Sequence, residues 1–303
     1  MSSTSQKSRG SELLEYAAAR LVVASLSVGP RRWSERLARF YVNLLSRAIP
    51  RLRRIAEKNV RMALPELGEP EQQRIVEGSF HSIARILVAL SRFPDLDDDN
   101  IDQWIRYDGF EHFEAAMKEG HGVLFATAHL GNWELSAFAH SILSGKPMHV
   151  VVRALDNPRI DVLVTERRTM SGNRVIEKRD YARGILRALA HNEAVGVLVD
   201  QNSGLREGIF VEFFGIQACV ATGFAKLAAH SKAPVIPGFA LWSETEGRYI
   251  LKFYPPIHVT GDAEADTRRL HAHLESLIRQ YPDQWLWMHR RWKTRPPGEP
   301  PIY

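Results

Sequence analysis

Gly122-Val-Leu-Phe-Ala-Thr-Ala128 followed by His129-Leu-Gly-Asn-Trp-Glu134 is the stretch on which the reading turns. Seven residues, apolar but for Gly122 and Thr127, form a run too short for a helix and well suited to a strand buried on both faces. Gly131 then permits a tight turn, and Trp133–Leu143 continues with helical spacing. A strand that runs straight into a helix is the opening of an α/β unit. His129 falls at the strand's C-terminal end, the edge of open α/β sheets where ligands collect.

The same alternation continues downstream. Met148–Arg153, Ala194–Val199, Phe210–Phe214, Pro234–Leu241 and Arg248–Tyr254 read as strands. Helices are expected near Asp156–Met170 and over Tyr181–His191, Ala221–His230 and Asp266–Arg279. The fold class is therefore α/β, with a central, largely parallel sheet flanked by helices. Upstream the pattern differs. Leu13–Val28, Trp33–Ala48, Arg53–Ala63 and Pro70–Ser91 are amphipathic, broken by Pro30, Pro50 and Pro65 and ended at Phe93-Pro94. Asp95, Asp97, Asp98 and Asp99 read as a solvated loop. The chain divides into a helical, basic region over residues 1–104 and an α/β core over 105–303, read as one continuous structural unit.

Charge is unevenly placed. Between Met1 and Arg61 thirteen Lys and Arg residues, Lys7 among them, face only four acidic ones, against a net charge of +5 for all 303 residues. Such a segment attracts anionic lipid, nucleic acid or an acidic carrier protein. The N-terminus has no secretory signal pattern. Leu13–Val28 would make a helix of about 24 Å, short of a hydrocarbon core of about 30 Å, and it carries Glu15 and Arg20. Lying in the membrane interface suits it better than spanning. With Cys219 alone, no intrachain disulfide and no Cys-rich metal site can form.

A His at a strand end with a carboxylate five residues later suggests a general base and its orienting acid. On spacing alone a histidine at a strand end is more often an ordinary structural one. No HExxH, Gly-x-Ser-x-Gly, GxGxxG or GxxxxGK[ST] pattern offers a competing chemistry.

HLGNWE (129–134), with its His-x4-Glu spacing, resembles the first motif of the bacterial lipid A late acyltransferases (lauroyl/myristoyl acyltransferase-like), within the glycerolipid acyltransferase superfamily. Four further blocks resemble that family in order: RRIAEKNVRMALPEL (53–67), VVRALDNPRID (151–161), VDQNSGLREGIFVEFFG (199–215) and YPDQWLWMHRRWKTRP (281–296). The resemblance implies transfer of a fatty acyl group from acyl-carrier protein or acyl-CoA to a hydroxyl of a membrane glycolipid, a lipid A precursor by default. It implies no cofactor, no metal, and work at the cytoplasmic face of the bacterial inner membrane.

By the same resemblance His129 and Glu134 are the catalytic residues, with Glu134 orienting His129. Arg153, Asp200, Gln201 and Asn132 are the substrate-binding candidates. Arg153 read blandly is a surface cation, and Asp200 a turn residue. Asn202 stands where many family members carry a second acid. Trp285, Trp287 and Trp292, among His289, Arg290, Arg291 and Lys293, read either as a membrane-facing cluster or as a packed one. Other acceptors stay open, such as a phosphatidylinositol mannoside or a lysophospholipid. A thioesterase or a non-catalytic lipid-binding protein on the same fold also remains.

Overall fold

A computed structural model describes residues 9–177 and 181–303. Lys7, counted in the basic stretch, lies outside the described residues. Four helices come first: α1 (Arg9–Ser27), α2 (Arg31–Ala48), α3 (Pro50–Ala63) and α4 (Glu69–Arg92). The rest follows as β1 (Ile105–Asp108), α5 (Phe110–Lys118), β2 (Val123–Thr127), α6 (Trp133–Ser144), β3 (Met148–Val152), α7 (Pro158–Thr169), β4 (Arg174–Glu177) and α8 (Tyr181–Ala190). Next are β5 (Ala194–Leu198), β6 (Gly208–Phe213), β7 (Ile216–Ala221), α9 (Gly223–Ser231), β8 (Val235–Ser243), β9 (Arg248–Phe253) and α10 (Ala263–Gln280).

Seven strands form one sheet in the order β1-β9-β8-β2-β5-β3-β4. Strands β8, β2, β5, β3 and β4 are mutually parallel, whereas β9 runs antiparallel to β8 and carries β1 parallel to itself. Both faces are covered, so β2 alternates between two apolar cores. Val123 and Phe125 pack towards α5 and α6, while Leu124 and Ala126 pack with residues of α8 and α9. Edge strands β1 and β4 have four residues each and carry at most two adjacent apolar residues, which left them invisible to a search for apolar runs.

β6 and β7 form a separate hairpin. Phe214 and Gly215 turn it, both in the left-handed region (φ 56° and 70°), the geometry that matches strand twist in a two-residue turn. Sequence reading had run a helix from Ala221, but Ala221 ends β7 and the helix starts at Gly223.

The N-terminal helices pack onto this core. Along α2 the small residues Ser34, Ala38, Val42 and Ser46 recur every four positions and are buried. Arg92 at the end of α4 binds the chain where α1 passes into α2, through the carbonyls of Leu26 (3.0 Å) and Gly29 (2.6 Å) and the Ser34 hydroxyl (2.9 Å). Residues of α1–α4 share one apolar core with β6, β7, α10 and the tryptophans of the C-terminal segment. Among the described residues no helix is long and apolar enough to cross a membrane.

Candidate active site

β2 and β5 are adjacent and parallel, with Thr127 opposite Leu198. Two residues further on, that register brings His129 and Asp200 together. Asp200 accepts from His129 Nδ1 at 2.8 Å through Oδ1, and from the His129 backbone amide at 3.0 Å through Oδ2. Trp285 Nε1 donates a third bond to Oδ2 at 2.9 Å.

Asp200 is 3% exposed. Burial alone would raise its pKa, but the facing His129 and the three donors hold it well below the usual carboxylate range. An ionised Asp200 fixes the proton on His129 Nδ1 and leaves Nε2 unprotonated, the tautomer a general base needs, with Gln201 Nε2 facing it at 3.4 Å. Burial works against a charged His129 too; the charge and hydrogen bond of Asp200 outweigh it and raise the imidazole pKa above its ordinary value.

The loop carrying His129 is fixed from both sides. Its carbonyl accepts from the Leu286 amide (3.0 Å), Gly131 N donates to Gln284 O (3.0 Å), and Asn132 N donates to Ala240 O (2.8 Å). Gly131 has φ +68°, and a Cβ there would stand 2.0 Å from the Ala240 carbonyl oxygen. No other residue fits that turn without displacing backbone.

Glu134 does not fill the place that the sequence reading gave it. The carboxylate bonded to His129 is Asp200; Glu134, in the first turn of α6, forms a two-pronged pair with Arg168 of α7 at 2.8 and 2.5 Å. The turn at Gly131 carries the start of α6 away from the β5 end and towards α7. Both side chains are largely buried, at 11% and 19% exposure. Their charges still reach His129, Glu134 raising its pKa and Arg168 lowering it.

The four substrate-binding candidates separate. Gln201 is exposed, with its Nε2 3.4 Å from His129 Nε2. Asp200 is the partner of His129. Asn132 is fully buried and caps α6, its Oδ1 accepting from Leu135 N at 3.0 Å. Arg153 is exposed at the end of β3, 3.6 Å from Asp156, and β5 lies between β3 and the strand that carries His129.

Asn202 latches its loop to the C-terminal segment, bonding Thr294 through both amide atoms (2.9 and 3.0 Å) and His289 Nε2 through its backbone amide (3.2 Å). Trp285, Trp287 and Trp292 are buried and pack on Phe213 and Phe214, so of the two readings the structure takes the packed cluster.

Beside the dyad a largely apolar pocket opens between α6 and the sheet. Trp133, Glu134 and Arg168 stand at its end near His129, the Trp133 ring meeting the His129 ring edge-on at 4.8 Å. Gly196 and Gly238 supply the room on the sheet side: a Cβ at Gly196 would meet Met148 Cε at 2.8 Å, and one at Gly238 would meet Phe253 at 3.0 Å. Sequence reading found neither Arg168 nor the cavity. α7 buries no residue fully and shows no apolar stripe, so nothing marked Arg168 beforehand.

Among the described residues no group of three or more His, Cys, Asp or Glu is placed to hold a metal ion. What the site offers is a histidine, its buried acid and an apolar slot. A family model for bacterial lipid A biosynthesis acyltransferases matches residues 5–294. The chain belongs to that family. This acyltransferase is 31% identical over 264 residues to the lipid A biosynthesis lauroyltransferase of Escherichia coli (strain K12), covering 86% of this chain and 85% of that one. It is also similar to the same organism's lipid A biosynthesis palmitoleoyltransferase (27%, 82% and 81% covered) and myristoyltransferase (24%, 82% and 77% covered).

Proposed function

We propose that this acyltransferase moves a fatty acyl group from a thioester donor, acyl-carrier protein or acyl-CoA, to a hydroxyl of a lipid A precursor. The observation that carries the reading is the His129–Asp200 pair beside an apolar cavity. The acceptor hydroxyl gives its proton to His129 Nε2 while its oxygen bonds the thioester carbonyl carbon. Collapse of the tetrahedral adduct breaks the C–S bond, and the departing thiolate takes the proton back from His129. No covalent acyl-enzyme is required. The acyl chain occupies the cavity under α6, with the Glu134–Arg168 pair at the reacting end.

The protein works on a membrane surface at the cytoplasmic face of the inner membrane. In support, α1 and α2 expose Leu14, Leu21, Trp33, Phe40 and Leu44, interspersed with the exposed Arg20, Arg32, Arg36 and Arg47. A mixed apolar and basic face suits the interface of an anionic bilayer.

The deciding experiment incubates the purified protein with labelled acyl-carrier protein or acyl-CoA and a panel of acceptors: lipid A precursor, phosphatidylinositol mannoside and lysophospholipid. Label should appear in the lipid A precursor. Label in another lipid replaces the acceptor, and free fatty acid as sole product makes the protein a thioesterase.

A further inference from the structure

The cavity is apolar over most of its surface, yet one residue that lines it has a buried ring nitrogen without a partner among the described residues. His140 lines the cavity from α6, seven residues beyond Trp133 and so about 10 Å further along the helix. It is 1% exposed. Its Nδ1 lies 2.7 Å from the Tyr107 hydroxyl, which also stands 3.3 Å from the His140 carbonyl oxygen. Phe113, Phe125 and Phe253 surround the ring edge-to-face, with centroids at 4.7, 5.3 and 5.7 Å. Nε2 is buried and has no hydrogen-bond partner among the described residues.

Among the described residues no acidic group acts on this ring. Burial, with a smaller contribution from Lys146, drives its pKa down to about 3, so the imidazole is neutral at ordinary pH. A neutral imidazole has one N–H and one lone pair. If the Tyr107 hydroxyl donates to Nδ1, Nε2 carries the hydrogen and lacks an acceptor. If Tyr107 donates to the carbonyl and accepts from Nδ1, Nε2 lacks a donor. Either arrangement leaves one buried hydrogen-bonding site open, and a plain methylene chain lying against it keeps it open. An unmatched buried polar atom is costly, so a chain that fills the site is favoured over one that does not.

We propose that His140 is a specificity-determining residue which selects acyl chains bearing a hydroxyl on the segment deep in the cavity. A hydroxyl donates and accepts, so it complements Nε2 in both tautomers. This rests on the reading of the cavity as the acyl site.

The test compares kcat/KM for the unsubstituted acyl thioester that the wild-type protein transfers fastest with that for isomers of the same length, hydroxylated at successive distal carbons. We expect at least one isomer to be preferred by roughly tenfold or more, the scale on which a site built for a hydroxyl rejects its absence. His140→Phe, which keeps an aromatic ring among aromatic neighbours, should abolish that preference, read as the ratio of kcat/KM for the hydroxylated and plain chains within the variant. A wild-type protein that transfers the plain chain at least as well as every hydroxylated isomer overturns the proposal, and means that a bridging water fills the site. Retained preference in His140→Phe overturns it equally. Should His140→Phe fail to fold, the wild-type ranking of chains decides alone. Transfer of neither kind of chain sinks the acyl-site reading itself, an outcome distinct from transfer without preference.

Discussion

His129 Nδ1 and Asp200 Oδ1 lie 2.8 Å apart although seventy-one positions separate them in the chain. The contact is a product of strand order. Thr127 and Leu198 are in register at the ends of adjacent parallel strands, and each partner sits two residues beyond. From this pairing the first expectation follows. Asp200→Asn removes the charge that raises the His129 pKa and disturbs the tautomer, so acyl transfer should fall by about a hundredfold or more. Steady-state transfer by the purified variant measures it.

The pH profile gives the second. Only neutral His129 accepts a proton, so kcat/KM should fall on the acid side below a pKa lying above 6.5, the ordinary histidine value. Removing the Asp200 charge should move that limb to lower pH. Stability carries a matching signature. The raised His129 pKa stabilises the fold fully below the unfolded value and loses that contribution as pH rises through the folded one. The depressed Asp200 pKa stabilises above about 3.9 and is lost as pH falls through its folded value. Chemical denaturation of wild type and Asp200→Asn across pH checks both signs.

Glu134 should behave differently from Asp200. Glu134→Ala leaves Arg168 largely buried without its partner, at a cost of about 1–3 kcal/mol. Transfer should fall by about a hundredfold as the reacting end of the cavity loosens. The acid limb should shift less than with Asp200→Asn, because Glu134 makes no hydrogen bond to His129 and ranks below Asp200 among the charges that raise its pKa. Urea titrations and pH–rate profiles of the two variants separate these effects.

Cavity length supplies a fourth expectation. Gly196→Val places side-chain carbons where Met148 now reaches, at 2.8 Å for the Cβ alone. Met148 would be displaced into the cavity, so transfer of the longest chains should fall most. A donor series of increasing chain length reads the shift.

The surface of α1 and α2 supplies a fifth. Exchanging exposed Trp33, Phe40 and Leu44 for Ser should weaken binding to anionic vesicles at high salt, whereas Arg32, Arg36 and Arg47 to Glu should weaken it mainly at low salt. Vesicle sedimentation at two ionic strengths distinguishes the apolar contribution from the charged one.

Most long elements were legible as apolar periods. Val123–Thr127 and Ala194–Leu198 are buried runs, and the helices of the first third carry clear stripes. The edge strands β1 and β4 were not legible, because four residues with a charge at or near each end are too short to show a period. The site was half legible. His129 could be placed at a strand end, but its partner depends on which strand lies next to β2, and a single sequence does not state strand order. Glu134 drew the assignment by being near in sequence, while the turn at Gly131 directs it to Arg168. Trp285 was conspicuous as one of a tryptophan group, yet its bond to Asp200 depends on the C-terminal segment returning to the loop after β2.

The most direct measurement is the initial rate of acyl transfer from a labelled acyl thioester to lipid A precursor by His129→Ala, set beside wild type. We expect a loss of at least about a hundredfold, the usual scale for removing a general base, with folding retained by circular dichroism. Near-normal transfer by a folded His129→Ala protein would contradict the assignment of His129 as the base.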